Sequence, residues 1–393
     1  MIVTAFLVIL FCTLCLRINF VSGGLLFLLL WASPLFLIEG PAGIIYIFAA
    51  TWWLIIAATF NIRASNQRPH INSRYSNSGL VLLTFFLLII LILDSGFGGF
   101  LSGKYGDVPG GNIILYYFYN SALYLTCVIF IWSDQKTKMW IKTYLFILIL
   151  LMVVNGDRTI ALMVLFSYLI CHYWGKVPLL SLLRFRQNLL AVILLVGGFI
   201  SKSLYSDYSA GNFGEASINE IFIRSFTSFE ILHNFSILNS TIEYNLEYDF
   251  LSYISEFLGF FPGSSFLSVD IHEFSTLLKT SFFSSWGLDS GVGAQIYAQH
   301  YAVFGFLGIA GFVIFHSFGA VYLQRLSRSS NQFVSSLMIV FFVPLFFYIY
   351  RNGMGSILSF CGRYLLILFI IFMISNIRTM FLGPKTTVSR PQK

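Results

Sequence analysis

Hydrophobic residues run almost unbroken along this chain, and short polar interruptions divide them into segments. The runs cover residues 2–16, 20–38, 41–60, 80–93, 111–132, 139–154, 159–174, 189–204, 300–322, 333–350 and 356–375. Apolar stretches approaching 20 residues are what a helix needs to cross a bilayer, and only helices or closed barrels satisfy their backbone inside lipid. Strict two-residue alternation is absent, so the pattern predicts about eleven transmembrane helices. The expected divisions are an N-terminal membrane bundle (1–204), a large loop (205–299), a C-terminal bundle (300–375) and a tail (376–393). Within the loop, Ser217 and Glu220 have the spacing of a capping box and predict a helix start there. A second helix is expected from Phe250 to about Phe260, stopped by Pro262 and Gly263.

Composition strengthens this reading. Of 393 residues, 58% are hydrophobic and 10% charged, against roughly 25% charged in soluble domains. The net charge of +7 does not point to nucleic acid, because the basic residues sit in short loops between apolar runs. They occupy alternate loops: Arg17; Arg63, Arg68 and Arg74; Lys136, Lys138 and Lys142; Lys176, Arg184 and Arg186; Arg325 and Arg328; then Arg378, Lys385, Arg390 and Lys393. Positively charged loops face the cytoplasm. The expected N-terminus is therefore outside and the C-terminus inside. The 205–299 loop then faces outward, and it holds 11 of the 16 acidic residues. Its many aromatic and aliphatic residues predict a folded loop on the outer membrane surface.

The five cysteines lie in apolar runs and are expected to pack as small hydrophobes, Cys12 and Cys15 included. Asn234 and Asn239 begin glycosylation sequons, a pattern short enough to arise by chance. No P-loop, dinucleotide fingerprint, HExxH or GxSxG is present, which speaks against nucleotide hydrolysis and soluble-type hydrolase chemistry. No metal or other cofactor is expected. His272 and Glu273 beside Asp270 lack a second ligand cluster.

Several charged residues stand where charge is costly. Arg158 follows Asn155, Gly156 and Asp157 in a very short outer turn, which reads either as a local ion pair or as an anion-holding arginine. Arg224 stands almost alone in the acidic loop; it reads as a helical pair with Glu220 or as a phosphate clamp. Glu230 and His233 share a helix face with Asn234, either a solvated face or a general base. Arg351 lies in a second short outer turn. Arg363 falls about two turns inside the last span, where snorkelling and function are both open. His172 and His316 are expected to be neutral packing residues.

The whole layout resembles the Wzy-type oligosaccharide repeat-unit polymerases. The stretch Gly156-Asp157-Arg158-Thr159 is similar to that family's Gly-x-Arg turn, and Ile223-Arg224-Ser225-Phe226 with Glu230 is similar to the start of its outer loop. Tyr297, His300, Phe304, Gly305 and Gly308 lie in a stretch similar to its Tyr-x(n)-Phe-Gly-x-x-Gly run into the next span. At Pro262 the chain departs, with Gly263 where the family often has a basic residue. The resemblance implies a GT-C-like, metal-independent glycosyltransferase in the bacterial cytoplasmic membrane. Its substrate would be oligosaccharide on undecaprenyl pyrophosphate, and a chain-length regulator is an implied partner. Arg224, Glu230 and His233 would be catalytic, while Arg158, Arg351, Arg363, Tyr297 and His300 would hold pyrophosphate and sugar. An O-antigen ligase shares the outer loop and the donor. A transporter or flippase of lipid-linked sugar is the alternative of another class.

Overall fold

A computed structural model of the chain describes residues 2–36, 38–63, 68–71, 78–101, 113–133, 139–154, 158–175, 230–258, 274–283, 295–351 and 353–382. Among these, the regular elements are helical, and an isolated parallel bridge pairs Ile71 with Ser133. The protein is an all-α membrane protein. The helices are α1 (Ile2–Leu14), α2 (Phe20–Ala32), α3 (Pro41–Arg63), α4 (Ser78–Leu101), α5 (Ile113–Trp132), α6 (Met139–Val154) and α7 (Arg158–Tyr173). After them come α8 (Glu230–Glu243), α9 (Phe250–Leu258), α10 (Phe274–Leu278), α11 (Ile296–Leu326), α12 (Gln332–Phe346) and α13 (Met354–Leu382).

Among the described residues, five segments are long and apolar enough to cross a membrane: Pro41–Phe60, Leu115–Trp132, Ile296–Leu326, Gln332–Tyr350 and Ile357–Ile374. Shorter apolar helices coincide with the runs expected at 2–16, 20–38, 80–93, 139–154 and 159–174. The run at 189–204 lies outside the described residues, as does the helix start expected at Ser217.

Long-range contacts sort the turns into two ends. At one end, Gly175 N donates to the Ile18 carbonyl at 2.8 Å, Phe20 N to Gln324 Oε1 at 3.0 Å, and Ile71 N to the Trp132 carbonyl at 2.9 Å. The Phe20 ring packs there against Trp132 and Trp174. Arg17, Arg68, Arg325 and Arg328 flank these contacts in sequence, so this is the basic end. At the other end, Asn239 meets Glu39 and Ala42, Arg351 meets Thr159, and Gln299 meets Met354.

Two helical segments from the region expected to be an outer surface loop are built into the bundle instead. Phe235, Ile237 and Leu238 of α8 are buried. Asn239 Oδ1 accepts from Ala42 N at 2.8 Å, and Phe235 stacks on Tyr46 at 5.5 Å between centroids. Moving four residues back along α8 thus means moving four forward along α3. The two helices are antiparallel, and the Glu230 end of α8 is the deeper one.

The second such segment is the start of α11. Gly305 has φ +62° and ψ −152°, a region that essentially only glycine occupies. His300 and Phe312 have ring centroids 4.5 Å apart, and Tyr297 and Phe312 5.9 Å apart. A straight helix would separate positions 300 and 312 by about 18 Å. Residues 296–304 therefore fold back along the helix that follows. Gly308 permits this, because a Cβ there would stand 2.5 Å from the His300 carbonyl oxygen and 2.6 Å from Phe304 Cβ. The crossing part of α11 begins after Gly305, at Phe306, six residues beyond the start expected at 300.

Candidate functional site

Two polar constellations flank the turn from Arg351 to Met354, at the end opposite the basic loops. The first is cationic. Arg351 follows a 3-10 turn, Tyr348–Tyr350, and its Nη1 donates to Tyr348 Oη at 2.8 Å and to Thr159 Oγ1 at 3.1 Å. Its guanidinium carbon lies 5.4 Å from the Tyr348 ring centroid. Thr159 is the residue after Arg158, and its hydroxyl donates to Tyr348 Oη at 3.4 Å. The starts of α7 and α13 are thereby joined, and Arg158 and Arg351 reach one neighbourhood. The Arg158 side chain lies outside what the structure describes.

Arg363 completes the row. Its guanidinium lies 4.6 Å from the Phe360 ring centroid and 4.9 Å from that of Tyr117. Phe360 in turn meets Tyr348 edge to face at 5.5 Å. Cations and rings form one row, Arg351, Tyr348, Phe360, Arg363 and Tyr117, with two rings between the arginines. Arg363 Nε is buried without a hydrogen bond, and among the described residues no carboxylate pairs with this guanidinium. Aromatic faces attract a cation without neutralising it, so these rings leave the Arg363 charge intact inside the apolar bundle.

The second constellation is built on Glu256 of α9. Its Oε1 accepts from Tyr248 Oη at 2.8 Å and from Phe274 N, and its Oε2 accepts from Gln299 Nε2. Gln299 Oε1 accepts from Met354 N at 3.0 Å. One carboxylate thus ties α9, α10, α11 and the start of α13 together. Beside it, His300 Nδ1 lies 2.9 Å from the Ile296 carbonyl, which can only accept. Nδ1 must carry the proton, so neutral His300 accepts at Nε2 from Tyr253 Oη at 3.2 Å. Burial, and then the Glu256 carboxylate, push the Tyr253 phenol above its ordinary range. The hydroxyl therefore remains a donor at neutral pH.

The residues expected from sequence fall into three groups. Arg351 and Arg363 are linked through Tyr348 and Phe360, and Arg351 reaches Thr159, the residue after Arg158. Tyr297 and His300 sit in the fold-back: Tyr297 is fully buried among Tyr46, Phe312 and Tyr350, and His300 faces Tyr253. Glu230 and His233 lie on the first turn of α8, their side chains outside the description, and Arg224 is outside the described residues altogether. His316 is buried, donates from Nε2 to the Leu345 carbonyl and stacks on Phe346, as a packing histidine does. His172 instead lies exposed against Tyr168.

Sequence reasoning missed Glu256, Gln299, Tyr253 and Tyr348. Glu256 carried a signal, being opposite the apolar face of its helix; the others had none among so many similar residues. Among the described residues, no three His, Cys, Asp or Glu side chains gather as a metal site would require. No known protein family, curated protein or solved structure matches the chain.

Proposed function

We propose that this protein is a membrane glycosyltransferase that polymerises oligosaccharide repeat units carried on undecaprenyl pyrophosphate. The work takes place at the outer face of the bacterial cytoplasmic membrane. The observation that carries the reading is the row of Arg351 and Arg363 on Tyr348, Phe360 and Tyr117, beside the Arg158–Thr159 start of α7. A lipid-linked pyrophosphate needs cations at a place a lipid can reach. A leaving pyrophosphate gains most from cations already fixed in position before reaction.

Eleven spans, with the basic end cytoplasmic, put this row on the outer side. The non-reducing sugar hydroxyl of the incoming unit attacks the anomeric carbon of the growing chain. The bond from that carbon to the pyrophosphate oxygen breaks, and lipid pyrophosphate leaves onto the arginines. Glu230 or His233, at the deep end of α8, takes the hydroxyl proton. Arg224 joins the pyrophosphate clamp, and aromatic rings of the cluster give the sugars flat apolar faces to rest on.

The test is a gel of surface polysaccharide from a strain lacking this chain, restored with the wild-type protein or with Arg363→Ala. A ladder that collapses to single capped units, and returns only with the wild type, is expected. Loss of one preorganised charge contact should slow polymer formation about 10²–10³-fold. Loss of the single capped units as well would mean a ligase. A ladder indifferent to the chain would leave the transporter reading in its place.

A further inference from the structure

The nine residues of α9 are arranged inside out for a water-facing surface helix. Its polar side faces the protein, with Tyr253 bonded to His300 and Glu256 bonded to Tyr248, Gln299 and Phe274 N. Its apolar side faces away: Phe250 is 51% exposed, Leu251 72% and Ile254 36%. At 100° per residue these three fall within one third of the helix circumference, opposite Glu256. A helix laid on a protein in water does the reverse.

The exposed side does not stand alone. Phe250 meets Phe304 edge to face at 5.8 Å, and Tyr253 meets the same ring at 5.7 Å. Phe304 leads directly into the outward surface of α11, where Leu307 is 84% exposed and Phe306, Phe315 and Phe318 are also bare. On a membrane-crossing helix such a surface is the one that lipid covers. The level also fits. From Phe306 to Arg325 is 19 residues, about 29 Å of helix, close to the ~30 Å hydrocarbon thickness. With Arg325 at one boundary, α9 lies at the other. Its first turn is capped by exposed Asp249, whose Oδ2 accepts from Ser252 N at 2.8 Å, and the exposed Glu247 comes just before. Both carboxylates suit a headgroup region rather than acyl chains.

We infer that α9 is an interfacial helix whose Phe250, Leu251 and Ile254 are sunk among phospholipid acyl chains, continuous with the lipid-facing surface of α11. Nine residues make about 13 Å of helix, too short to cross, so α9 lies along the membrane plane. The inference rests on the membrane character of the bundle and not on glycosyl transfer. It also gives α9 a mechanical role, because the same nine residues contact lipid on one side and hold the Glu256 network on the other.

Spin labelling in lipid nanodiscs tests it without reference to activity. Cys12 and Cys15, the exposed cysteines, are changed to Ser, and single cysteines are introduced as Leu251→Cys, Ile254→Cys or Glu247→Cys. At 251 and 254 the label should be relaxed several-fold more by oxygen, which concentrates in lipid, than by a water-soluble nickel chelate. At 247 the order should reverse. Nickel access at both 251 and 254 would overturn the inference and return α9 to water. Labels shielded from both reagents would also overturn it; dipolar broadening between labels would then identify a second copy as the cover.

Discussion

At Glu256, one side chain holds four elements with a single carboxylate. It accepts from Tyr248 Oη, Gln299 Nε2 and Phe274 N, and Gln299 passes the link on to Met354 N. Removing the carboxylate strands donors that are partly buried, and such losses cost more than the bonds contribute when made. Glu256→Ala should therefore lower stability by about 2–4 kcal/mol, read as a drop in thermal midpoint in detergent or nanodiscs. Glu256→Gln keeps the shape and one acceptor, so it should cost markedly less. Equal midpoints for the two variants would mean that the carboxylate is incidental. This residue was only half legible in sequence. Its place opposite Phe250, Leu251 and Ile254 follows from spacing, but nothing in the sequence says that the polar side is the buried one. The arginines were legible one by one, because charge in an apolar run is conspicuous. Their partners Tyr117, Tyr348 and Phe360 were not, since 44 Phe and 21 Tyr hide any particular ring.

Among the elements, α11 shows how a continuous hydrophobic pattern can conceal a reversal. From residue 300 onward the sequence reads as one long apolar run, and helical periodicity alone extends it without a break. The reversal depends on two small residues: Gly305, whose backbone conformation excludes a side chain, and Gly308, over which residues 300 and 304 close. A methyl at 308 has the His300 carbonyl and the Phe304 Cβ in its way, and backbone cannot yield as a flexible side chain can. Gly308→Ala is expected to cost about 1–3 kcal/mol and to loosen the Tyr253–His300 contact. Proteolysis of the 244–258 region should report this as faster cleavage, while Gly311→Ala, a position with open space around it, should behave as wild type. Matching cleavage in the two variants would remove Gly308 from this role. The deep placement of α8 was likewise beyond sequence reasoning, because its polar residues suggested a solvated helix. The structure shows Asn239 partnered across the bundle, to Glu39 and Ala42.

At the scale of the whole molecule, the described residues gather different side chains at the two ends. The turns flanked by Arg17, Arg68, Arg325 and Arg328 close one end through backbone bonds and stacked aromatics. The arginine row and the Glu256 network occupy the other. Alternating basic loops predicted this sorting, and helix contacts alone bring the same turns together. Reporter fusions give the sidedness: a phosphatase active only outside the cytoplasm should be active when joined after Tyr248 and inactive when joined after Arg328. The opposite result would turn the molecule over and place the arginine row inside the cell. The loop predicted to lie on the surface was the least legible large feature. Its hydrophobic content announced a folded region, but only contacts with α2, α3 and α11 place its α8 segment in the bundle.

The burial of Asn239 bears on how this protein can be made. Its amide binds the Glu39 carbonyl and the Ala42 amide, and Asn234 one turn earlier is equally hidden. Both begin Asn-x-Ser/Thr sequons, the pattern a eukaryotic secretory pathway modifies on a nascent chain where it faces the lumen, before α8 has docked. A sugar tree attached to Asn239 at that moment cannot be accommodated against α3. A host that glycosylates cotranslationally would then accumulate a chain unable to close its own bundle, whereas a host without that machinery would not meet the problem.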